Sequence, residues 1–530
     1  GDMFTQFATL EEIRAWDEFC ARSFPVSRLM SEPEIPQVKT IYSGITPGIE
    51  INGVPHSANQ WGSIVYSSCP PTDDFFANTS QSGVQIYLVM LGSVNLYADG
   101  RYQLEDLDRA MKRYLSINPD AYFMFWGKGN LSDEWIRNNP DELVGFAKKS
   151  SSKNWSDYGG NPDVPSLASQ KYLDELSRCM KLIADFSLSK PWGRRIIGIV
   201  MGYGGSGDGT PYGGLSMPDT GKRMTDAFRK YLRNKYHTDA ALQKSWAMTD
   251  VTLDNATVPD QTDRWGCGDY LRNPAHPKDR RLIDYYDCYH DQFANWMIEW
   301  GRLAKEAFPG RLAGAYYGYF ILAYTAEAST ANFEKVLQSP HIDFLRATTL
   351  GYNLTDGLHR HIHSVFHRYG KFSSIEGDIR THAGRDAVIG RNEQRWLCKT
   401  PEETRSTVSK MVGNSLLLGC AYHTVDFGSN RNDWFFDCPE AIEPIVRGNE
   451  LWKKYWKQPL ALASDIAVIV DYRQNLKQGH PEYARNRFFE YGLLGNTLQV
   501  LNFSGYTNDC LALEDYLNSN HDYKVVIFAN

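Results

Sequence analysis

Eight short apolar runs alternate with helical patterns between residues 64 and 425, and this alternation constrains the fold more than any other feature. The runs are Ile64–Tyr66, Val84–Met90, Ala121–Trp126, Ile196–Met201, Leu312–Tyr319, Ile342–Ala347, Phe372–Ile375 and Cys420–Val425. Residues with helical spacing lie between most of them, at Leu104–Leu115, Tyr172–Phe186, Met224–Tyr236, Leu282–Phe308 and Pro401–Leu418. Alternating strands and helices predict parallel βα units, and about eight units predict an α/β fold of the (β/α)8 TIM-barrel type. An open doubly wound sheet is the alternative, but no G-x-G-x-x-G follows the first strand.

The pattern divides the chain into three parts. Residues 1–37 carry apolar residues at helical spacing and predict a helical lead-in, and residues 38–457 hold the barrel. After residue 458 the pattern resets, with strands predicted at 466–472, 498–501 and 525–528 and a helix at 488–494. This predicts a second α/β domain, flavodoxin-like in outline, over 458–530. Because no helix follows the last strand, we expect this domain to be incomplete and the natural chain to continue past Asn530.

Composition excludes several classes of protein. The net charge is −7, from 63 acids and 56 bases, and no long basic run occurs, so a nucleic-acid partner is not expected. No stretch is long and apolar enough to predict a membrane span. Nine cysteines, an odd number without a C-x-x-C pair, predict neither a full disulfide framework nor a zinc cluster, and we expect no metal and no other cofactor. The chain opens without a charged-then-apolar leader, so we expect any signal peptide to have been removed, which favours a periplasmic or otherwise exported protein over a cytoplasmic one.

The stretch from Lys371 to His382 is the strongest candidate for a reaction site. A buried strand ends there in Glu376, Gly377 and Asp378, followed by Arg380 and His382. Active sites of barrel enzymes lie at the carboxyl ends of the strands, and glycoside cleavage by the commonest route requires two carboxylates there. Glu376 is therefore a candidate nucleophile, which the nearby arginine would keep ionised. A structural Glu–Arg ion pair at the base of a loop is the alternative.

The second candidate carboxylate follows the strand at Ile196–Met201. A glycine-rich loop carries one acid, Asp208, between Gly207 and Gly209. The loop lacks the lysine of a phosphate-binding P-loop, and Asp208 would repel a phosphate. Asp208 is a candidate general acid, and a turn-forming aspartate before glycine is the alternative.

Further residues near strand ends could contact a sugar. Aromatic residues make up 13% of the chain, which fits both stacking on sugar rings and a large aromatic core. We expect an oligosaccharide or glycoside substrate, and the candidate substrate-binding residues are Trp126, Asn130, Tyr203, Tyr317, Asp378, Arg380, His423, Asp426 and Trp434.

Several motifs resemble glycoside hydrolase family 42, the β-galactosidase group of retaining barrel enzymes. The motifs are Asn118-Pro119-Asp120-Ala121, Asn139-Pro140-Asp141-Glu142, Ile196-Ile197-Gly198 and Tyr231-Leu232-Arg233-Asn234-Lys235-Tyr236 with Leu242 and Trp246. The resemblance covers most of the chain. It implies a TIM barrel, a β-linked sugar as substrate, Glu376 as the nucleophile of the seventh strand, and a flavodoxin-like domain that often takes part in trimer formation. We therefore expect a homo-oligomer, a trimer or a dimer.

The chain departs from this family at the acid/base position. The family's fourth strand usually ends in Asn-Glu, and Tyr203-Gly204 stands there in this chain. Asp208 is the nearby carboxylate, in a loop similar to a Gly-Gly-Thr-Gly-Glu-Trp form with Asp in place of Glu. We expect a retaining glycoside hydrolase with Glu376 as nucleophile and Asp208 as acid/base. The alternatives are a barrel that binds glycans without cleaving them, and an enzyme whose acid lies on another loop, such as Asp269 or Asp433.

Overall fold

The computed structural model describes most of the chain, with gaps at several loops. The described residues are 10–62, 73–91, 101–129, 131–145, 164–203, 219–260, 263, 272–318, 320, 330–348, 360–384, 397–426, 434–461, 463–477, 493–518, 520 and 522–529. Asn130, Asp208, Asp269, Asp433 and the predicted strand at 64–66 therefore lie outside the described residues.

The chain begins with the expected helical lead-in and then forms a small antiparallel sheet. Helices α1 (Leu10–Ser23) and α2 (Val26–Met30) precede strands β1 (Val38–Ser43), β2 (Thr46–Ile51) and β3 (Val54–Ser57), which pair in that order. This sheet covers the end of the barrel where the strands begin. The Tyr42 hydroxyl donates to the carbonyl of Lys371 at 2.6 Å, just before a barrel strand, and Val38 N–H donates to the Gly310 carbonyl at 3.3 Å, just before another.

Seven parallel strands form one curved sheet in sequence order, as the alternating pattern predicts. They are β4 (Ile86–Met90), β5 (Tyr122–Lys128), β6 (Ile196–Gly202), β7 (Leu312–Tyr316), β8 (Phe344–Thr348), β9 (Phe372–Gly377) and β10 (Ala421–Thr424). Gln60 and Trp61 link the two edges of this sheet. Gln60 N–H donates to the Tyr422 carbonyl next to β10, and Trp61 N–H donates to the Ile86 carbonyl of β4, both at 2.9 Å. The arrangement matches a TIM-barrel scaffold, with residues 60–61 in the place of a first strand.

Helices connect the strands and cover the outer face of the sheet. Those of the described residues are α3 (Asp73–Ser80), α4 (Arg101–Ile117), α5 (Asp133–Asn138), α6 (Gln170–Leu188), α7 (Lys222–Tyr236), α8 (Asp239–Trp246), α9 (Pro277–Ala307), α10 (Phe333–Gln338), α11 (His363–Tyr369), α12 (Pro401–Leu418) and α13 (Pro439–Tyr455). Helix α12 shows why the sequence folds this way. Thr400 caps its start by accepting from the Glu403 N–H at 3.2 Å, Pro401 opens its first turn, and Gly419 ends it with a left-handed φ of 65°.

Two apolar clusters pack against the sheet, one on its inner face and one on its outer face. The inner cluster draws residues from every barrel strand and from β2, and none from the helices, so it fills the concave side. Its members include Trp126 and Tyr316, whereas Tyr203 and Tyr317 belong to the cluster between the sheet and the helices.

The last part of the chain forms a three-stranded parallel sheet in the order β12-β11-β13. Its elements are β11 (Ile466–Val470), α14 (Asn496–Phe503), β12 (Asn508–Ala512), α15 (Leu513–Leu517) and β13 (Val525–Phe528). The strand predicted at 498–501 is wrong, because this segment lies within α14. Leu498 and Leu501, three residues apart, both pack against the core, which is the spacing of a helix face. The flavodoxin-like assignment of this unit stays a prediction.

Two findings on the described residues bear on the expectations drawn from composition. No helix among them is long and apolar enough to cross a bilayer. The seven cysteines in the described ranges are all free thiols.

Candidate active site

Glu376 lies at the carboxyl end of β9, on the inner face of the curved sheet. Its backbone is paired in register with Thr348 of β8 and His423 of β10, so residues of both neighbouring strands flank it. The side chain is only 8% exposed. Gly377 follows directly, and a Cβ there would lie 2.2 Å from the Met411 sulfur of α12. The glycine therefore lets α12 pack close behind the strand end that presents the carboxylate.

A chain of hydrogen bonds holds the Glu376 carboxylate. The Tyr316 hydroxyl of β7 donates to Glu376 Oε2 at 3.0 Å and lies 2.8 Å from His423 Nε2. On the other side of the imidazole, Ser374 Oγ lies 3.1 Å from His423 Nδ1. Since a hydroxyl has one proton, Tyr316 can donate to Glu376 while it accepts from a protonated His423 Nε2. In this arrangement His423 carries its proton on Nε2, and the Tyr316 proton points at the carboxylate.

The electrostatic surroundings favour a neutral histidine and a carboxyl group with a raised pKa. Burial lowers the pKa of His423 well below its ordinary value, and the nearby Arg346 lowers it further. Burial raises the pKa of Glu376 above its ordinary value. The Tyr316 hydrogen bond and the guanidinium groups of Arg380, Arg346 and Arg360 act in the opposite direction without cancelling the effect of burial. The arginines thus favour the ionised carboxylate, as expected, but burial has the larger effect and leaves the pKa of Glu376 raised.

Arg346 places a buried positive charge on the inner face beside Glu376. It stands on β8, in register with Tyr316 on one side and Ser374 on the other, and it is fully buried. One of its terminal nitrogens donates to the Gln60 side chain on the far edge of the sheet. Its guanidinium carbon also lies 5.8 Å from the centre of the Tyr316 ring. The arginine thus joins β8 to the Gln60 segment and supplies one of the positive charges that oppose protonation of Glu376.

Four of the sequence-predicted residues lie near this centre or on the stretch that follows it. Trp126 is on the inner face, with its ring centre 5.3 Å from that of Tyr316. His423 belongs to the hydrogen-bond chain. Asp378 and Arg380 are buried and form an ion pair with each other, in which Arg380 Nη2 is 3.3 Å from Asp378 Oδ2.

Other predicted residues are placed elsewhere. The Tyr203 hydroxyl donates to the Pro165 carbonyl at 3.0 Å, and its ring packs on Trp296 of α9. Tyr317 packs on Phe293 of the same helix, with ring centres 4.8 Å apart. Both side chains thus point to the outer layer, away from Glu376.

The loop after β10 holds the last two predicted residues. Asp426 accepts from the backbone N–H groups of Phe435 and Phe436, both at 3.0 Å. Trp434 is buried and stacks on Phe75, with ring centres 5.7 Å apart. These contacts order the loop that leads into α13.

Sequence reasoning did not select four residues around Glu376: Gln60, Arg346, Ser374 and Tyr316, the last of which it notes at the end of the same strand as Tyr317. Tyr316 directly precedes the chosen Tyr317, and the first signal was that neighbouring residues of a strand face opposite sides, which separates the two tyrosines without showing which of them faces inward. Leu312 and Tyr316 of this strand both belong to the inner cluster, four residues apart. A single Arg inside the apolar run of β8 was the second signal, since arginine is rarely buried without a partner.

Comparison with known proteins supports the fold alone. No family model matches the chain, and no curated protein matches it by sequence. Solved structures do match. The β-galactosidase of the psychrophilic Marinomonas ef1 superposes with a TM-score of 0.59 at 14% identity, over 88% of this chain and 71% of the other. The β-galactosidase of the haloarchaeon Halorubrum lacusprofundi gives 0.57 at 12% identity, over 88% and 68%. A catalytic mutant of the family 42 β-galactosidase from G. stearothermophilus gives 0.55 at 12% identity, over 93% and 69%. The chain therefore has a fold similar to that of family 42 β-galactosidases, as the sequence motifs imply.

Proposed function

We propose that this protein is a retaining glycoside hydrolase that cleaves a β-linked sugar, with a β-galactoside as the expected substrate, and that Glu376 is its nucleophile. The observation that carries the proposal is the position of Glu376: a buried carboxylate, at the carboxyl end of a barrel strand, held by a tyrosine hydroxyl. Catalytic residues of this scaffold come from such strand ends. The similarity in fold to β-galactosidases supports the same reaction class.

In the proposed reaction, one Glu376 oxygen attacks the anomeric carbon while the bond to the leaving oxygen breaks. A general acid gives its proton to that oxygen, and a covalent glycosyl-enzyme forms. The same acid, now a base, takes a proton from water, which attacks the anomeric carbon and releases Glu376. Because Tyr316 holds Oε2, the other carboxylate oxygen is the one available for attack.

We propose Asp208 as the acid/base residue. Asp378 and Asp426, the described acids that follow β9 and β10, are held by Arg380 and by backbone N–H groups. Removal of a general acid slows substrates with poor leaving groups far more than substrates with good ones. We expect Asp208→Asn to lower turnover of an alkyl β-galactoside by about 10²–10³-fold and that of a dinitrophenyl β-galactoside far less.

The Asp269→Asn and Asp433→Asn variants are the matched controls for this assignment. If one of them shows the leaving-group dependence and Asp208→Asn does not, the acid lies on that other loop. Azide provides a second test. It attacks the glycosyl-enzyme in place of water and, because it is already an anion, it needs no general base. An acid/base variant should yield a β-glycosyl azide, and a β product from Asp208→Asn would support its role.

A glycan-binding protein without turnover is the second candidate function. Strand β6 ends at Gly202 and is followed by Tyr203, which packs on α9, so no acid stands directly at the end of this strand. A panel of aryl β-glycosides separates the two functions. Binding of a glycoside by calorimetry, with no aryl release by any member of the panel, would favour the binding protein.

Tyr316→Phe is expected to shift the acid limb of the pH–rate profile to higher pH. The Tyr316 hydrogen bond lowers the pKa of Glu376, and a nucleophile must be ionised. Activity is lost as pH falls through this pKa, so removal of the hydroxyl moves the loss to higher pH. We expect kcat/KM near neutral pH to fall roughly tenfold. Tyr317→Phe, one residue away and facing α9, should leave the profile unchanged; an equal shift in both variants would contradict the assignment.

A further inference from the structure

Three side chains with metal-ligating atoms meet beside the loop that follows β9. His382 lies in a short helical turn, His382–Gly384, while Cys438 and Glu440 stand at the start of α13. Their ligand atoms all lie within 4.8 Å of one another. His382 Nε2 is 4.0 Å from Glu440 Oε2, too far for a hydrogen bond but close enough to share an ion.

Thr404 orients the histidine for this role. Its Oγ1 accepts from the His382 backbone N–H at 3.1 Å and lies 2.8 Å from His382 Nδ1. Thr404 is fully buried on α12, so its position is determined by the packing of that helix. An Nδ1–H that donates to the threonine leaves the Nε2 lone pair directed at Cys438 and Glu440. An outer hydrogen bond of this kind is the usual partner of a metal-bound histidine.

We propose that His382, Cys438 and Glu440 bind a zinc ion. A thiolate and a carboxylate together neutralise a divalent cation, and a neutral imidazole completes a sulfur, nitrogen and oxygen set that suits zinc. Bonds of about 2.0–2.3 Å in a tetrahedron place ligand atoms roughly 3.4 Å apart. Since the ligand atoms lie within 4.8 Å of one another, side-chain rotations that close their separations by up to roughly 1.4 Å would reach this geometry. Water would take the fourth position.

The ion would connect two segments that flank the candidate active site. The segment after β9 carries Asp378 and Arg380, and Thr381 already donates to the Phe435 carbonyl in the segment before α13. A zinc ion at the start of α13 would add a stronger link between the same two segments. The ion would thus hold the two segments together, and this inference does not depend on the glycosidase proposal.

The thiol and carboxylate also suit the position they occupy. The start of a helix carries a partial positive charge, which attracts the anionic ligands of a metal ion. Without an ion, burial raises the pKa of the Cys438 thiol to about 11, so zinc would displace the thiol proton on binding. The positive end of α13 would repel a cation that had no anionic ligands. The thiolate and the carboxylate offset this repulsion and make the site suitable for zinc. Arg405, the nearby cation on α12, pairs with Glu443 one turn further along α13 and is thereby directed at another acid.

The test uses the whole chain, stripped of metal by a chelator and then titrated with Zn²⁺ against a competing dye. We expect one Zn²⁺ per chain. Glu440→Gln should weaken binding at least about tenfold, and Cys438→Ser at least about a hundredfold. Titration with Co²⁺ should give the intense d–d bands of a tetrahedral ion and a thiolate charge-transfer band that Cys438→Ser removes.

Two matched variants control the experiment. Glu443→Gln changes an exposed acid of the same helix, and Cys20→Ser changes a distant buried cysteine; both should bind Zn²⁺ as the parent does. If Cys438→Ser does not fold, Glu440→Gln carries the test, because its side chain is partly exposed. Zinc affinity that is unchanged in Glu440→Gln, or no binding at micromolar Zn²⁺, would overturn the proposal.

Discussion

Glu376→Gln is expected to lower kcat for an aryl β-glycoside by about 10⁴-fold or more, the loss seen when a nucleophile is removed. The amide keeps the size of the side chain and can still accept from Tyr316, but it cannot form the glycosyl-enzyme. The measurement is the steady-state rate of aryl release. Glu306→Gln, which changes an exposed acid on α9, should keep full activity.

The same variant provides its own folding control. Burial raises the pKa of Glu376 in the folded protein above that of the unfolded chain. The folded state then holds the proton more tightly, so the stability linked to this group is present at low pH and falls as pH rises through the folded pKa. At neutral pH the ionised carboxylate costs stability, and Glu376→Gln should unfold at no lower temperature than the parent. A loss of activity with early unfolding would not support a catalytic role.

Azide distinguishes a nucleophile from an acid. In Glu376→Gly the anomeric carbon is open to a small anion in the place of the carboxylate. Azide should restore turnover and give an α-glycosyl azide, the inverted product, from a β-glycoside with a good leaving group. A β-glycosyl azide from this variant would mean that Glu376 is the acid/base, and the absence of rescue together with residual activity in Glu376→Gln would exclude it as the nucleophile.

The largest expected effect on stability comes from Asp284, which is fully buried on α9. Its carboxylate accepts from Lys235 Nζ at 2.8 Å, the Tyr236 hydroxyl at 2.6 Å and the Trp246 Nε1 at 2.8 Å. Arg280 adds an ion pair at 3.1 Å. Asp284→Ala leaves these donors without their common acceptor, and we expect the free energy of unfolding to fall by about 3–5 kcal/mol.

The measurement is the urea midpoint of the barrel transition, with the slope compared between variants. Asp291→Ala is the matched control on the same helix. Its carboxylate is 40% exposed and pairs with Lys335, so its loss should cost less than about 1 kcal/mol. Equal midpoint shifts for the two variants would show that the buried network does not hold α7, α8 and α9 together.

Much of the barrel could be predicted from the sequence because its strands are separated by helices with clear spacing. Seven predicted runs coincide with β4 to β10, and helix α12 begins and ends at the predicted residues. The C-terminal unit was harder. Strand β12 begins with Asn508 and Asp509, which are poor strand formers, so its pattern does not stand out, and α14 was predicted as a strand because it is short and apolar.

The surroundings of Glu376 were less predictable than Glu376 itself. A barrel strand is apolar on both faces, so the pattern of β7 does not reveal whether Tyr316 or Tyr317 faces inward. The registers of β7 to β10 decide this, and they bring Tyr316, Arg346 and His423 together across neighbouring strands. Tyr203 and Tyr317 share the outer face with α9 for the same reason.

The sequence by itself determined that the chain alternates strands and helices and that Glu376 ends a buried strand, because both are local properties of consecutive residues. Only the tertiary structure decided which side chains surround Glu376, and which three residues form the proposed zinc site. His382 stands far from Cys438 and Glu440 in the chain, and no local spacing connects them. Their meeting depends on the pairing of β9 with β10, which brings the segments after the two strands to the same end of the barrel.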